Sequence, residues 1–260
     1  KLVWEEKAPV SVARFADDGV EVLGGKIYFV GGYDGSAKNI AERYDPATNA
    51  WEALANMSAA RAGVACAVLE GKLYAIGGEG LSSVEVFDPS NGNWSTGIAL
   101  PSEVSDGSAI TVDGKIYHVG GQNSSGGEIN QVLYFDPSSN QWNTKANMPT
   151  ARHAVKLVWF ENRIWAIGGY DGSSSTNKVE SYDPSTDTWQ AEASLTTTRN
   201  RPIAWIANRR IYVGGGTGAA ELSGFSNSIE VYDPTTKQWA SAGNLPENKQ
   251  SADAVVLNDK

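Results

Sequence analysis

Lys72-Leu73-Tyr74-Ala75-Ile76-Gly77-Gly78, followed by Val84-Glu85-Val86-Phe87-Asp88-Pro89 and then Trp94, is the stretch that decides the fold. It spells an apolar strand, a Gly-Gly break, a loop, a second strand, an Asp-Pro turn and a Trp that opens a third strand. The pattern occurs five times. The Gly-Gly pairs begin at Gly31, Gly77, Gly120, Gly168 and Gly215, spaced by 46, 43, 48 and 47 residues. The Asp-Pro pairs begin at Asp45, Asp88, Asp136, Asp183 and Asp233. An aromatic precedes each Asp (Tyr44, Phe87, Phe135, Tyr182, Tyr232), and a Trp follows it by six residues (Trp51, Trp94, Trp142, Trp189, Trp239). A fixed period of this length marks a repeat architecture. The variable length lies between Gly-Gly and Asp-Pro, so that segment reads as a surface loop.

Each element has a physical task. Gly-Gly ends a strand where a positive φ or a close backbone approach leaves no room for a Cβ. Asp-Pro starts a tight turn, with Pro presetting φ and Asp bonding the backbone two residues on. The Trp buries a large surface and is expected to fill the space between units. Segments such as Gly25-Lys26-Ile27-Tyr28-Phe29-Val30 are β-branched, aromatic and too short for helices.

Gly-Gly, then Tyr/Phe-Asp-Pro, then Trp at this period resembles the kelch repeat over nearly the whole chain. The resemblance implies an all-β propeller of four-stranded antiparallel blades around a central channel, with strand A innermost and strand D outermost. The repeats fall at about 11–57, 58–101, 102–149, 150–196 and 197–246 in a single domain. The tail Ser251–Leu257 matches strand A of a further repeat, and Lys1–Glu6 matches a strand D. Lys260 corresponds to Lys26 and Lys1 to Thr48, so strands B and C have no counterpart. The expectation is a six-bladed ring whose incomplete sixth blade is built from 247–260 plus 1–9; five blades with loose ends is the alternative. Unfilled sheet edges would invite self-association or strand capture.

The net charge is −9, from 21 basic and 30 acidic residues. Nucleic acid is not expected as a partner, because phosphate binding wants a basic surface. Residues 1–130 carry 9 basic and 17 acidic residues, and 131–260 carry 12 and 13. No run of about 18 apolar residues is present, so no membrane span is expected. No signal peptide is read at Lys1, and the compartment stays open. Cys66 is the single cysteine. No internal disulfide can form, and its small-residue strand suits an inert buried thiol.

The chain holds two histidines, His118 and His153, and no His/Cys cluster, so no metal or cofactor is expected. His118 reads as a strand residue and His153 as one near the channel mouth. Gly214-Gly215-Gly216-Thr217-Gly218 lacks the Lys-Ser/Thr ending of a phosphate loop. In kelch domains that bind peptides, two sets of positions line the pocket. The residues after Gly-Gly are here Tyr33, Glu79, Gln122, Tyr170 and Thr217. The others follow an Arg that enters strand A (Arg14, Arg61, Arg152, Arg199), with Val104 and Lys249 as departures. They include Asp17, Ser105, Asp106, His153, Asn200, Arg201, Gln250 and Ser251. Strand C carries Glu42, Glu85, Glu180 and Glu230, with Leu133 departing in the third repeat. The resemblance implies a non-catalytic module that binds a protein or peptide at the loop-bearing mouth. A sugar-active enzyme of the sialic-acid mutarotase type, using Glu79, Asp106 or Arg201 as acid and base, is an alternative, as is a ligand-free propeller.

Overall fold

The computed structural model describes residues 2–16, 18–220, 223–249 and 252–257. Twenty-one strands and no helix appear among them. Blade 1 is β1 (Val20–Leu23), β2 (Lys26–Val30), β3 (Ala41–Asp45) and β4 (Ala50–Ala53). Blade 2 is β5 (Ala65–Leu69), β6 (Lys72–Ile76), β7 (Val84–Asp88) and β8 (Asn93–Thr96). Blade 3 is β9 (Ser108–Val112), β10 (Lys115–Val119), β11 (Val132–Asp136) and β12 (Gln141–Lys145). Blade 4 is β13 (Lys156–Phe160), β14 (Arg163–Ile167), β15 (Val179–Asp183) and β16 (Thr188–Ala191). Blade 5 is β17 (Ile203–Ala207), β18 (Arg210–Gly214), β20 (Ser223–Asp233) and β21 (Gln238–Lys249), with β19 (Thr217–Ala220) as an addition.

Each blade is an antiparallel meander, so A–B and C–D turns fall on one face of the ring. The Gly-Gly loops and D–A connections fall on the other, which is the mouth. The Asp of every Asp-Pro accepts the N–H two residues on, at 2.8–3.0 Å. Gly77 shows why Gly-Gly is needed: at φ 64° a Cβ there would sit 2.5 Å from the Val104 carbonyl oxygen.

The core lies between blades. One apolar cluster joins blades 1 and 2 with Trp94, and another joins 2 and 3 with Trp142. A third joins blades 3 and 4 with Trp189, and a fourth joins 4 and 5 with Trp239. Each of the five indoles packs at a tilt of 41–53° against the aromatic of its own Asp-Pro motif, with centroids 5.2–5.4 Å apart. Each indole N–H donates to a carbonyl of the preceding repeat: Ala8, Ala55, Ile98, Ala146 and Ala193, at 2.7–2.9 Å. Trp239 is buried and the other four are half-buried. They clasp neighbours from the rim rather than filling the gap completely.

The expected sixth blade is corrected: five blades form, the fifth with an added strand, and no sheet is built from the described residues of the termini. Residues 2–14 and 252–257 carry no strand. A strand needs a neighbour to take its backbone groups, and the described residues of the two segments that match strands A and D pair with no strand. They lie across blades 5 and 1. Leu2, Ala252 and Ala254 pack on an apolar cluster of blade 5, and Trp4 sits edge-on to Trp205. Further along, Ala8 accepts the Trp51 indole of blade 1 and Ser11 donates to Glu42. The segment between Gly-Gly and Asp-Pro, read as a surface loop, is partly strand in blade 5, where Thr217 pairs with Phe225 and Ala220 with Ser223.

Candidate functional site

Four buried ion pairs organise the mouth. Arg14–Glu42, Arg61–Glu85, Arg152–Glu180 and Arg199–Glu230 have N–O distances of 2.6, 3.0, 2.8 and 3.1 Å. In each, the Arg that enters strand A also donates to the first carbonyl of its Gly-Gly pair: Gly31, Gly77, Gly168 and Gly215. The carboxylates collect further donors. Glu85 accepts the N–H groups of Ser58 and Ala59, and Glu230 accepts those of Thr196 and both Thr196 and Thr197 hydroxyls. Burial acts to raise Glu42, Glu85 and Glu230, but these donors outweigh it and hold all three below the ordinary glutamate value. Blade 3 has Val104 and Leu133 at the two positions, both inside the apolar cluster shared with blade 2.

Above that apolar pair lies a cavity of about 650 Å³. Tyr33, Glu79, Gln122, Ser105, Asp106 and Arg201 from the expected set line it, together with Phe15, Glu103, Asn123 and Ser124. Phe15 and Tyr33 are 42% and 40% exposed, large apolar surfaces turned to solvent at the rim. Their backbones bridge to one another, which ties the Gly-Gly loop of blade 1 to its strand A entry. Arg201 and Asp106 form an ion pair of 2.7 Å across the channel. Both sit at φ 53°, a left-handed conformation that aims the side chains of two D–A connections at one another.

The remaining expected residues lie elsewhere. His153 is buried, 3.3 Å by Nδ1 from Glu128 Oε1 and with its ring 5.4 Å from that of Tyr170. Glu128 also accepts from Gln122 at 3.2 Å, so it connects the loops of blades 3 and 4. Asn200 and Thr217 are fully buried and bridge each other through backbone bonds of 2.9 Å. They shape the wall and offer no exposed contact. Gln250, Ser251 and Asp17 lie outside the described residues. Phe15, Glu103 and Glu128 were not singled out from the sequence. Phe15 directly follows an entering Arg and could have been found by the same register.

Below the mouth the channel narrows to a cleft of about 20 Å³ lined by Asp18, Asp106, Lys156, Arg201 and Ala252, among others. Lys156 Nζ lies 2.6 Å from Asp18 and also pairs with Asp253. Asp18 further accepts the Ser108 hydroxyl and the Ala109 N–H. Burial raises Asp253, and burial with the Asp18 charge pushes Glu21 up to about 8. Two side chains of the sequence reading behave as inert structure: burial drives Cys66 up and takes His118 down to about 4, so both are neutral at pH 7. No group of His, Cys, Asp and Glu among the described residues could hold a metal ion, and no helix among them is long and apolar enough to cross a membrane.

The KLHDC2/KLHL20/DRC7 Kelch-repeats domain family model matches residues 17–194 and 63–260. Kelch-like protein 35 of Mus musculus is 38% identical over 82 residues, 31% of this chain and 14% of that protein. The F-box/kelch-repeat protein At1g67480 of Arabidopsis thaliana is 36% identical over 77 residues, 29% of this chain and 20% of that protein. Kelch repeat and BTB domain-containing protein 13 of Homo sapiens is 42% identical over 74 residues, 26% and 16%. The matched stretches thus span a fifth or less of these curated relatives. Among solved structures, that of YjhT superposes with a TM-score of 0.83 at 19% identity, covering 98% of this chain and 90% of that one; this likeness concerns the fold. Repeat pattern, blade geometry and family model agree: the chain belongs to the kelch-repeat family of β-propellers.

Proposed function

We propose that this propeller is a non-catalytic binding module that holds a segment of a partner protein at the loop-bearing mouth. The observation that carries the reading is the cavity over blades 2 and 3, with Phe15 and Tyr33 exposed beside it and its floor closed by the Asp106–Arg201 pair. Exposed aromatic side chains beside a recess are typical anchor points for a protein ligand. Because the channel below is stoppered by Lys156 and its two aspartates, contacts concentrate at the rim. Glu79 and Glu103 on that rim favour a segment that brings a cationic group next to an apolar side chain. The kelch relatives whose names carry F-box or BTB domains support a protein partner.

The test is to pan a random peptide display library against the protein and measure the enriched peptides on Tyr33→Ala and Phe15→Ala. Each change is expected to weaken binding about tenfold or more with thermal stability unchanged. Enriched peptides that bind both variants as well as the parent would refute the site. A second reading, a sugar-active enzyme of the sialic-acid mutarotase type, rests on Glu79, Asp106 and Arg201 lining one cavity. Accelerated anomerisation of free sugars, followed by NMR and lost in Glu79→Gln, would favour it over pure binding.

A further inference from the structure

A second recess, of about 660 Å³, lies on the face opposite the mouth, between blades 4 and 5. Its apolar part is Trp159, Phe160, Ile206 and Pro234; Arg209 and Arg210 stand over it. The turn that carries Arg209 breaks a repeat rule. The second residue of the A–B turn has a left-handed backbone in every blade. It is Gly25, Gly71 and Gly114 in blades 1 to 3, Asn162 (φ 59°) in blade 4 and Arg209 (φ 57°) in blade 5. Glycine adopts this conformation freely and asparagine more readily than arginine, for which it is costly. The C–D turn repeats the anomaly: the left-handed residue is Asn49, Gly92, Asn140 and Asp187 in the first four blades and Lys237 in blade 5. Blade 5 therefore places two cations on this face at positions where its neighbours use Gly, Asn or Asp.

The strand B cation behind the turn keeps to the repeat rule. In every blade it pairs with the Asp of Asp-Pro: Lys26, Lys72 and Lys115 in blades 1 to 3, Arg163 and Arg210 in blades 4 and 5. Arg210 is held by Asp233 at 2.6 Å. Arg209 is exposed and makes no ion pair among the described residues. Glu161 (φ 49°) and Asn208 (φ 50°) beside it are left-handed too, so what sets Arg209 apart is an exposed cation with no ion pair among the described residues at the edge of a concave, part-aromatic surface. We propose that this groove binds an acidic segment of a partner protein, with a carboxylate taken by Arg209 and an adjacent apolar side chain laid over Trp159 and Pro234. Glu161 on the blade 4 rim repels a second carboxylate there and so sets the segment's direction.

The experiment titrates the whole protein with an N-acetylated hexapeptide alternating glutamate and leucine, read by calorimetry and by the Trp159 indole NMR signal. Its glutamine counterpart and a single-stranded oligonucleotide are run in parallel. The glutamate peptide is expected to bind and shift Trp159, while the other two do not. Arg209→Gly is expected to weaken binding about tenfold or more yet raise Tm by about 2 °C through relief of backbone strain. Asn162→Gly, at the matching turn of blade 4, leaves affinity unchanged, as does Tyr33→Ala at the mouth. Equal affinity for the glutamine peptide, binding of the oligonucleotide instead, no binding of the glutamate peptide, or full affinity in Arg209→Gly would each overturn the proposal.

Discussion

Blade 4 and blade 3 solve the same mechanical problem with opposite chemistry. In blade 4, Arg152 enters strand A fully buried, reaches Glu180 at 2.8 Å and donates to the Gly168 carbonyl. In blade 3, Val104 and Leu133 occupy those places inside an apolar cluster. The two departures are one event: an Arg–Glu pair exchanged for a Val–Leu pair. A buried pair costs desolvation of both ions, and well-packed apolar residues of similar size often do as well or better. What the apolar version lacks is the charged crosslink from the strand entry to the Gly-Gly turn. The mouth cavity, with Val104 in its lining, lies over the blade where that crosslink is missing.

Breaking the charged version should have the largest effect. Arg152→Ala or Glu180→Ala alone strands a buried charge and is expected to cost about 3–5 kcal/mol in denaturant unfolding. Copying blade 3 by Arg152→Val with Glu180→Leu is expected to recover at least about 2 kcal/mol of that loss. A double variant as unstable as the worse single one would mean that the two blades are not interchangeable solutions.

Acid sharpens the same contrast. Glu42, Glu85 and Glu230 have folded values below the ordinary 4.5. Their contribution is therefore present above 4.5 and is lost as pH falls through the lowered folded values. Unfolding midpoints measured from pH 6 downward should fall, and more shallowly in a variant whose blade 2 carries Arg61→Val with Glu85→Leu. Identical pH profiles would show that the pairs are not the acid-sensitive element. The smallest effect belongs to the clasp that all blades share. Trp94→Phe keeps most of the ring but removes the 2.7 Å bond to the Ala55 carbonyl, a loss of about 1 kcal/mol by thermal unfolding.

Much of this was legible from residue spacing. Gly-Gly, Asp-Pro and Trp each do one local job, so their recurrence announces blades, turns and the mouth face. The residues after Gly-Gly could be placed at the mouth for that reason. Which of them reach solvent could not. His153, Asn200 and Thr217 share the register of exposed Phe15 and Tyr33 yet are buried, because burial depends on what packs over a position and not on its place in the repeat. The link between Val104 and Leu133, separate departures in the sequence, needs the register that joins strand entry to strand C. The terminal segments match strand patterns without forming a blade among the described residues, because a pattern states what can pair, not what does.

On the proposed function, a protein segment docks over blades 2 and 3 at the mouth. Hydrogen exchange of the whole protein, with and without a peptide enriched by display, tests it most directly. Slowed exchange confined to residues 31–36, 79–82, 103–106 and 122–128 is the predicted result. Peptide binding with no slowing in those four segments would contradict the claim.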